Sequence, residues 1–155
     1  MNAFTVIIDS REQAPWSFPA DVPTGPGTLA AGDYSLSGFE GSVAVERKSL
    51  PDLVSCIGPE RERFKRELQR LKAYRVRAVI IEGTLQNITG HQYRSATLPA
   101  SVLGSLASWQ VWYEVPFIFA GDAAGAATYC LALLRNYHRQ LVEFAAKFTA
   151  TKTGE

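Results

Sequence analysis

The sequence predicts a mixed α/β fold, a single sheet covered by helices. Three observations point to it. Short apolar runs, FTVIID, SVAVERK, VRAVIIEG and VPFIFAG, alternate with segments of helical periodicity. No repeat or linker divides the chain. Its 155 residues suit one domain with a proper core.

The elements follow in order. FTVIID (4–9) is a buried strand that ends on an acid. The Pro/Gly-rich stretch 14–27, APWSFPADVPTGPG, is a loop. GDYSLSG and SVAVERK flank FEG and read as a hairpin over 34–47. SLPDLVSCI is helical, with Ser49 as N-cap and Pro51 tolerated in the first turn. From 60 to 74, Phe64, Leu68 and Leu71 recur at helical spacing beside a stripe of Arg63, Arg66 and Arg70. VRAVIIEG is a second buried strand, whose Glu82 either lines a cleft or caps a helix. Residues 84–98 are polar and read as a loop. PASVLGSLASWQ is a helix opened by Pro99, VPFIFAG a last core strand, and Asp122 caps a helix over 123–148. Residues 149–155 are expected to form a flexible tail after a domain spanning 1–148.

Composition excludes several classes. An apolar fraction of 46% and a charged fraction of 20% are those of a globular protein. No apolar run approaches the roughly 20 residues of a membrane span, and the N-terminus lacks a signal peptide, so a cytoplasmic protein is expected. Cys56 and Cys130 are expected to be reduced core thiols. The net charge of +1 is uninformative, but its distribution is not. Eight of the 16 basic residues lie between Arg61 and Arg77, opposed there only by Glu62 and Glu67.

Chemistry concentrates where strands end or turn, at Asp9, Glu12, Asp33, Glu46, Lys48 and Asp52. Asp33 opens one hairpin strand and Glu46 lies near the end of its partner, so pairing can bring the two carboxylates together. Two carboxylates, with waters and a substrate phosphate, suit Mg²⁺, which dehydrates reluctantly. Lys48 follows Glu46 by two residues and shares its sheet face, from which it can orient a water or stabilise charge in phosphodiester hydrolysis. Arg47 points the other way unless the strand bends. Taken alone, Glu46 and Lys48 also describe a solvated strand end with a weak ion pair. His91, with Tyr93 and Arg94, is either a DNA contact or ordinary loop, and His138 reads as surface. Trp16 is either exposed near a substrate or packed. Trp109, Trp112, Phe117 and Phe119 read as core or as a dimer interface.

The stretches VIIDSRE (6–12), GDY (32–34) and VERKSLPDL (45–53), in that order, closely resemble the XPF-type nuclease domain, a family that includes the Mus and Hef structure-specific endonucleases. RERFKREL resembles the helix that carries a family arginine, which falls on Arg63. The resemblance covers 4–137 and implies a restriction-endonuclease-like fold and divalent-metal-dependent cleavage of DNA at branched, flap or fork structures. It makes Asp33 and Glu46 the ligands of Mg²⁺ (or Mn²⁺), Lys48 the catalytic lysine, and Asp9 and Asp52 supporting acids. Arg11, Glu12, Arg47 and Arg63 become candidates for phosphate contact or for holding the acids, with Arg66 and Arg70 further along the same DNA-binding stripe. Glu12 and Asp52 are equally read as salt-bridge partners of these arginines. Larger members carry a tandem helix-hairpin-helix module, so a stand-alone form of phage or prokaryotic origin is expected. The family implies a possible homodimer through the last two helices. It also contains pseudonuclease subunits, so the alternative is a catalytically silent DNA-binding scaffold. Such subunits lose motif acids or the lysine, and all are present here.

Overall fold

A computed structural model describes residues 4–152. Six strands form one mixed sheet: β1 (Val6–Asp9), β2 (Thr24–Gly27), β3 (Tyr34–Leu36), β4 (Val43–Ser49), β5 (Val76–Glu82) and β6 (Phe117–Phe119), in the order β2-β1-β3-β4-β5-β6. β1, β3 and β4 pair antiparallel, whereas β2 on β1, β5 on β4 and β6 on β5 are parallel. Among the described residues five helices accompany the sheet: α1 (Leu50–Ser55), α2 (Arg61–Leu71), α3 (Leu85–Thr89), α4 (Pro99–Tyr113) and α5 (Ala123–Lys152).

Alternation along the strands sorts two cores. Ala44, Val79 and Ile81 face α1 to α4, where they meet Leu53, Phe64, Leu68, Leu71, Ile88, Val102 and Trp109. Val43, Val45, Ala78 and Ile80 face the other way, toward Ala126, Cys130, Leu134 and Tyr137 of α5. On α2 the buried positions Phe64, Leu68 and Leu71 lie on one stripe. Burying each contributes about 1.5–3 kcal/mol. Phe64 meets the edge of Trp109 at 5.3 Å, and Arg61 lies over that indole at 4.9 Å, which fixes α2 against α4. Cys56 and Cys130 are both buried free thiols.

Several boundaries differ from the sequence reading. The stretch 14–27 is not all loop, because its last four residues pair with β1. As an edge strand, β2 tolerates the missing N–H of Pro26. The polar stretch 84–98 contains α3, which Thr84 and Asn87 open with a reciprocal capping box. α4 continues to Tyr113 and closes at Glu114 in the left-handed conformation, φ 54°. α5 runs four residues past Phe148, because Thr149 to Lys152 contain no helix breaker; residues 153–155 of the expected tail lie outside the described residues. Ser49 caps α1 as expected, accepting from the Asp52 N–H at 3.2 Å. Asp122 caps α5, its Oδ1 accepting from Gly125 N–H at 2.7 Å. His138 is not simply surface: its ring packs edge-on against Phe4 at 5.5 Å. Among the described residues no helix is long and apolar enough to cross a membrane.

Candidate active site

The acids converge because three antiparallel strands lie side by side. Asp9 N–H donates to the Asp33 carbonyl at 2.8 Å, and Asp33 N–H donates to the Val45 carbonyl at 2.8 Å. Tyr34 is opposite Ile8 on one side and Val45 on the other. One residue further along, therefore, Asp9, Asp33 and Glu46 stand in a row across the sheet. Gly32 permits this approach. Its φ is +73°, and a Cβ there would meet the Val45 carbonyl oxygen at 3.0 Å.

Glu46 and Lys48 share the face that carries α2. Lys48 Nζ lies 3.1 Å from Glu46 Oε1 and 5.2 Å from the centre of the Phe64 ring. They form the floor of a cleft of about 680 Å³, lined also by Asp9, Arg11, Asp33, Asp52, Arg63, Glu67 and Arg70. Arg11 bridges the edge: its Nε donates to Asp9 Oδ2 at 2.9 Å and its Nη2 to the Leu29 carbonyl at 2.8 Å. On the opposite rim Arg63 lies 3.3 Å from Glu60, and Arg70 pairs with Glu67. Arg66 is exposed and outside the cleft lining. Asp52 is an exposed member of the lining.

Electrostatics separates the acids. Burial pushes the Glu46 carboxyl up to about 8, with the neighbouring Asp33 charge adding to the rise and Lys48 opposing it. Burial likewise raises Asp33 to about 6, although the Arg47 backbone N–H, donating to Asp33 Oδ2 at 2.8 Å, works against it. Asp9 goes the other way. Burial raises it, but the Arg11 guanidinium and the Leu29 N–H together hold it below the ordinary carboxylate value. The Lys48 ammonium is raised: burial disfavours it, and Glu46, Cys56 and Asp33 together more than compensate. The two acids disfavour each other's ionisation, and a cation between them would favour their charged forms.

The bonds seen among the described residues use Asp33 Oδ2 and Glu46 Oε1, which leaves the second oxygen of each for a ligand. No group of three or more His, Cys, Asp or Glu side chains converges as a complete cage among the described residues. A pair of hard oxygen donors with room for water is the arrangement that suits Mg²⁺ or Mn²⁺.

Two candidates leave the cleft. The side chain of Arg47 projects to the α5 face, because β4 does not bend there. It meets Glu82 at 2.5 Å and Glu12 at 3.6 Å, so only its backbone reaches the site. Glu12 is thus a salt-bridge partner, one of the two readings open to it. Glu82 neither lines the cleft nor caps a helix; it accepts from Trp16 Nε1 at 2.7 Å. Trp16 is packed, 4% exposed, with its indole stacked on Tyr34 at 4.4 Å. Glu67 was not singled out by sequence reasoning, yet its charge raises both Asp33 and Glu46. Its signal was spacing: Arg63, Glu67 and Arg70 stand at i, i+4 and i+7, a single stripe of α2.

A search of curated proteins found no match. Among solved structures, XPF from Aeropyrum pernix is 25% identical with a TM-score of 0.69, the match covering 92% of this chain and 69% of that one. XPF from Aeropyrum pernix in complex with DNA is 25% identical with a TM-score of 0.70, covering 89% and 66%. Residues 8–133 match the model of the ERCC4 domain, a span that includes every acid of the cleft and the lysine beside them. The chain belongs to the ERCC4 domain family, and its mixed sheet with flanking helices is the XPF nuclease fold.

Proposed function

We propose that the protein is a divalent-metal-dependent DNA endonuclease that hydrolyses phosphodiester bonds at branched, flap or fork structures. The observation that carries this reading is the pairing of half-buried Asp33 with buried Glu46, with Lys48 against Glu46, at the floor of a cleft rimmed by arginines. One of the similar structures is an XPF bound to DNA, which supports DNA as the substrate. The preference for branched DNA rests on the family resemblance.

Asp33 and Glu46 would hold Mg²⁺ or Mn²⁺ through the oxygens that the protein leaves open. When bound, the ion supplies charge neutralisation at the scissile phosphate and a water of lowered pKa. Lys48, kept protonated by Glu46, places its ammonium beside the reacting phosphate and stabilises the charge that grows there. Asp9 stays ionised and holds Arg11 at the rim, where that guanidinium can take a phosphate oxygen. Arg63 and Arg70 receive the backbone on the other side. Phosphate contacts of this kind position DNA without reading its sequence.

The test is a cleavage panel of duplex, single strand, 3′ flap, 5′ flap and fork, each with Mg²⁺, Mn²⁺ or EDTA. Cutting is expected with either metal and not in EDTA, with flaps or forks cut faster than duplex. No cleavage of any substrate with either metal would sink the reading.

A further inference from the structure

Glu82 ends β5 on the sheet face turned away from the cleft. Its Oε1 accepts from Trp16 Nε1 at 2.7 Å and from Arg47 Nε at 2.5 Å. The Arg47 guanidinium also donates to the Ala14 carbonyl and lies 5.6 Å over the Trp16 ring. Trp16 is fixed in turn by Tyr34, stacked within 6° of parallel and accepting the Trp16 backbone N–H on its hydroxyl at 2.8 Å. One carboxylate therefore joins β5, the end of β4 and the segment 14–16. None of Glu82, Trp16 or Tyr34 lines the cleft.

A packing role would not require this chemistry: the pair is part-buried, and an apolar replacement of even a fully buried ion pair is often neutral for stability. What an apolar residue cannot do is fix direction. Arg47 carries both ends of the device. Its side chain is tied to Glu82, and its backbone N–H donates to Asp33 Oδ2 at 2.8 Å. The flanking residues, Glu46 and Lys48, face the cleft. Rotation of the Arg47 peptide would release Asp33 and turn both neighbours at once.

We propose that Glu82 is a positioning residue: by holding the side chains of Arg47 and Trp16, it fixes the Arg47 peptide so that its N–H orients Asp33 against Glu46. The proposal rests on the nuclease reading above for its link to turnover, but the orientation of Asp33 is measurable without it.

Glu82→Met keeps length and removes the acceptor. Glu82→Gln keeps an oxygen able to take both bonds, as Oε1 does alone. Each is measured for kcat and KM on a flap substrate, for Mn²⁺ affinity by calorimetry, and for amide exchange at Arg47 by NMR. For Glu82→Met we expect kcat to fall about tenfold to a hundredfold, with KM little changed. Mn²⁺ binding should weaken, and the Arg47 amide should exchange at least about tenfold faster while that of Ile80 is unaffected. Glu82→Gln should restore all of these. Wild-type kcat and Arg47 protection in Glu82→Met would overturn the proposal, as would equal loss in both variants or loss of protection throughout β5. If Glu82→Met does not fold, Arg47→Met cuts the same pair from the other side and should reproduce the pattern. Failure of both to fold assigns the pair to packing and overturns it too. A wild-type protein that cuts no DNA sinks the nuclease reading alone, because amide exchange still decides the role of Glu82.

Discussion

Glu46 is only 7% exposed and has a charged neighbour, Asp33, which gives the site a pH signature. Both carboxyls are raised on folding, so the folded protein holds protons that the unfolded chain releases. Their stabilisation is complete below the ordinary values, 3.8 for Asp33 and 4.5 for Glu46, and is lost as pH rises through about 6 and about 8. Asp9 acts in the opposite sense, but only below its ordinary value of 3.8. In EDTA the melting temperature should therefore fall between pH 5 and pH 8.5, and Glu46→Gln should flatten that slope. Mg²⁺ should raise the melting temperature more at pH 8.5 than at pH 5.5; a flat wild-type profile counts against the raised Asp33 and Glu46 carboxyls. Kinetically, Asp33→Asn and Glu46→Gln should each abolish cleavage while DNA binding survives. Lys48→Ala should slow cleavage about 10²–10³-fold and leave Mn²⁺ binding intact, as calorimetry can show. The convergence of Asp9, Asp33, Glu46 and Lys48 was legible in sequence because strand pairing and the i, i+2 spacing place them together. Of the opposite-face partners of Arg47, Glu12 was legible, but Glu82 and Trp16 were not, since they are joined to it by the sheet register and by a loop folded beneath it.

At the scale of elements, strands and helices with strong periodicity were legible, whereas β2 and α3 were not. β2 reads TGPG, with no strand former beyond Thr24, and exists because β1 offers it a parallel edge. α3 has five residues and is held by its capping box and by the buried Ile88 rather than by propensity. α2 was placed correctly, but which of its arginines meet the cleft depends on how Phe64 and Leu68 rotate it. Arg63 and Arg70 reach the lining and Arg66 does not. Charge reversal of Arg66 and Arg70 together should weaken binding to all DNA sequences alike and reduce the salt slope by about one unit for each phosphate no longer neutralised. Arg66→Glu alone should change the slope less than Arg70→Glu. Arg63→Glu should cost turnover more than affinity. Filter-binding titrations across salt decide this, and an unchanged slope in the double variant would reduce the stripe to a solvated face.

At the scale of the whole molecule, apolar surface remains after the sheet is covered. Leu134 and Tyr137 are spent on the core, and so is Trp109. Val111 and Trp112 at the end of α4 stay 78% and 73% exposed, and Tyr129, Phe144 and Phe148 of α5 are exposed as well. We expect these residues to join two copies of the chain, as the family resemblance implies. Light scattering at micromolar concentration should give about twice 17.0 kDa, and Trp112→Glu should restore the single mass. A mass of 17.0 kDa across the range would leave these side chains as bare surface.

The two cores also differ in when they can close. The strands that carry the acids, and α1 to α4 over one face, all precede Ala123. The opposite face, with Val6, Leu36, Val43, Val45 and Ile80, finds most of its cover in residues 126–137 of the final helix. During synthesis, a sheet whose acid-bearing strands are already assembled would therefore present a largely uncovered hydrophobic plane to the ribosome surface and to chaperones. Docking of α5 would then be the closing step of folding, and a chain stalled or truncated before it would be sticky even though its acids were all in place.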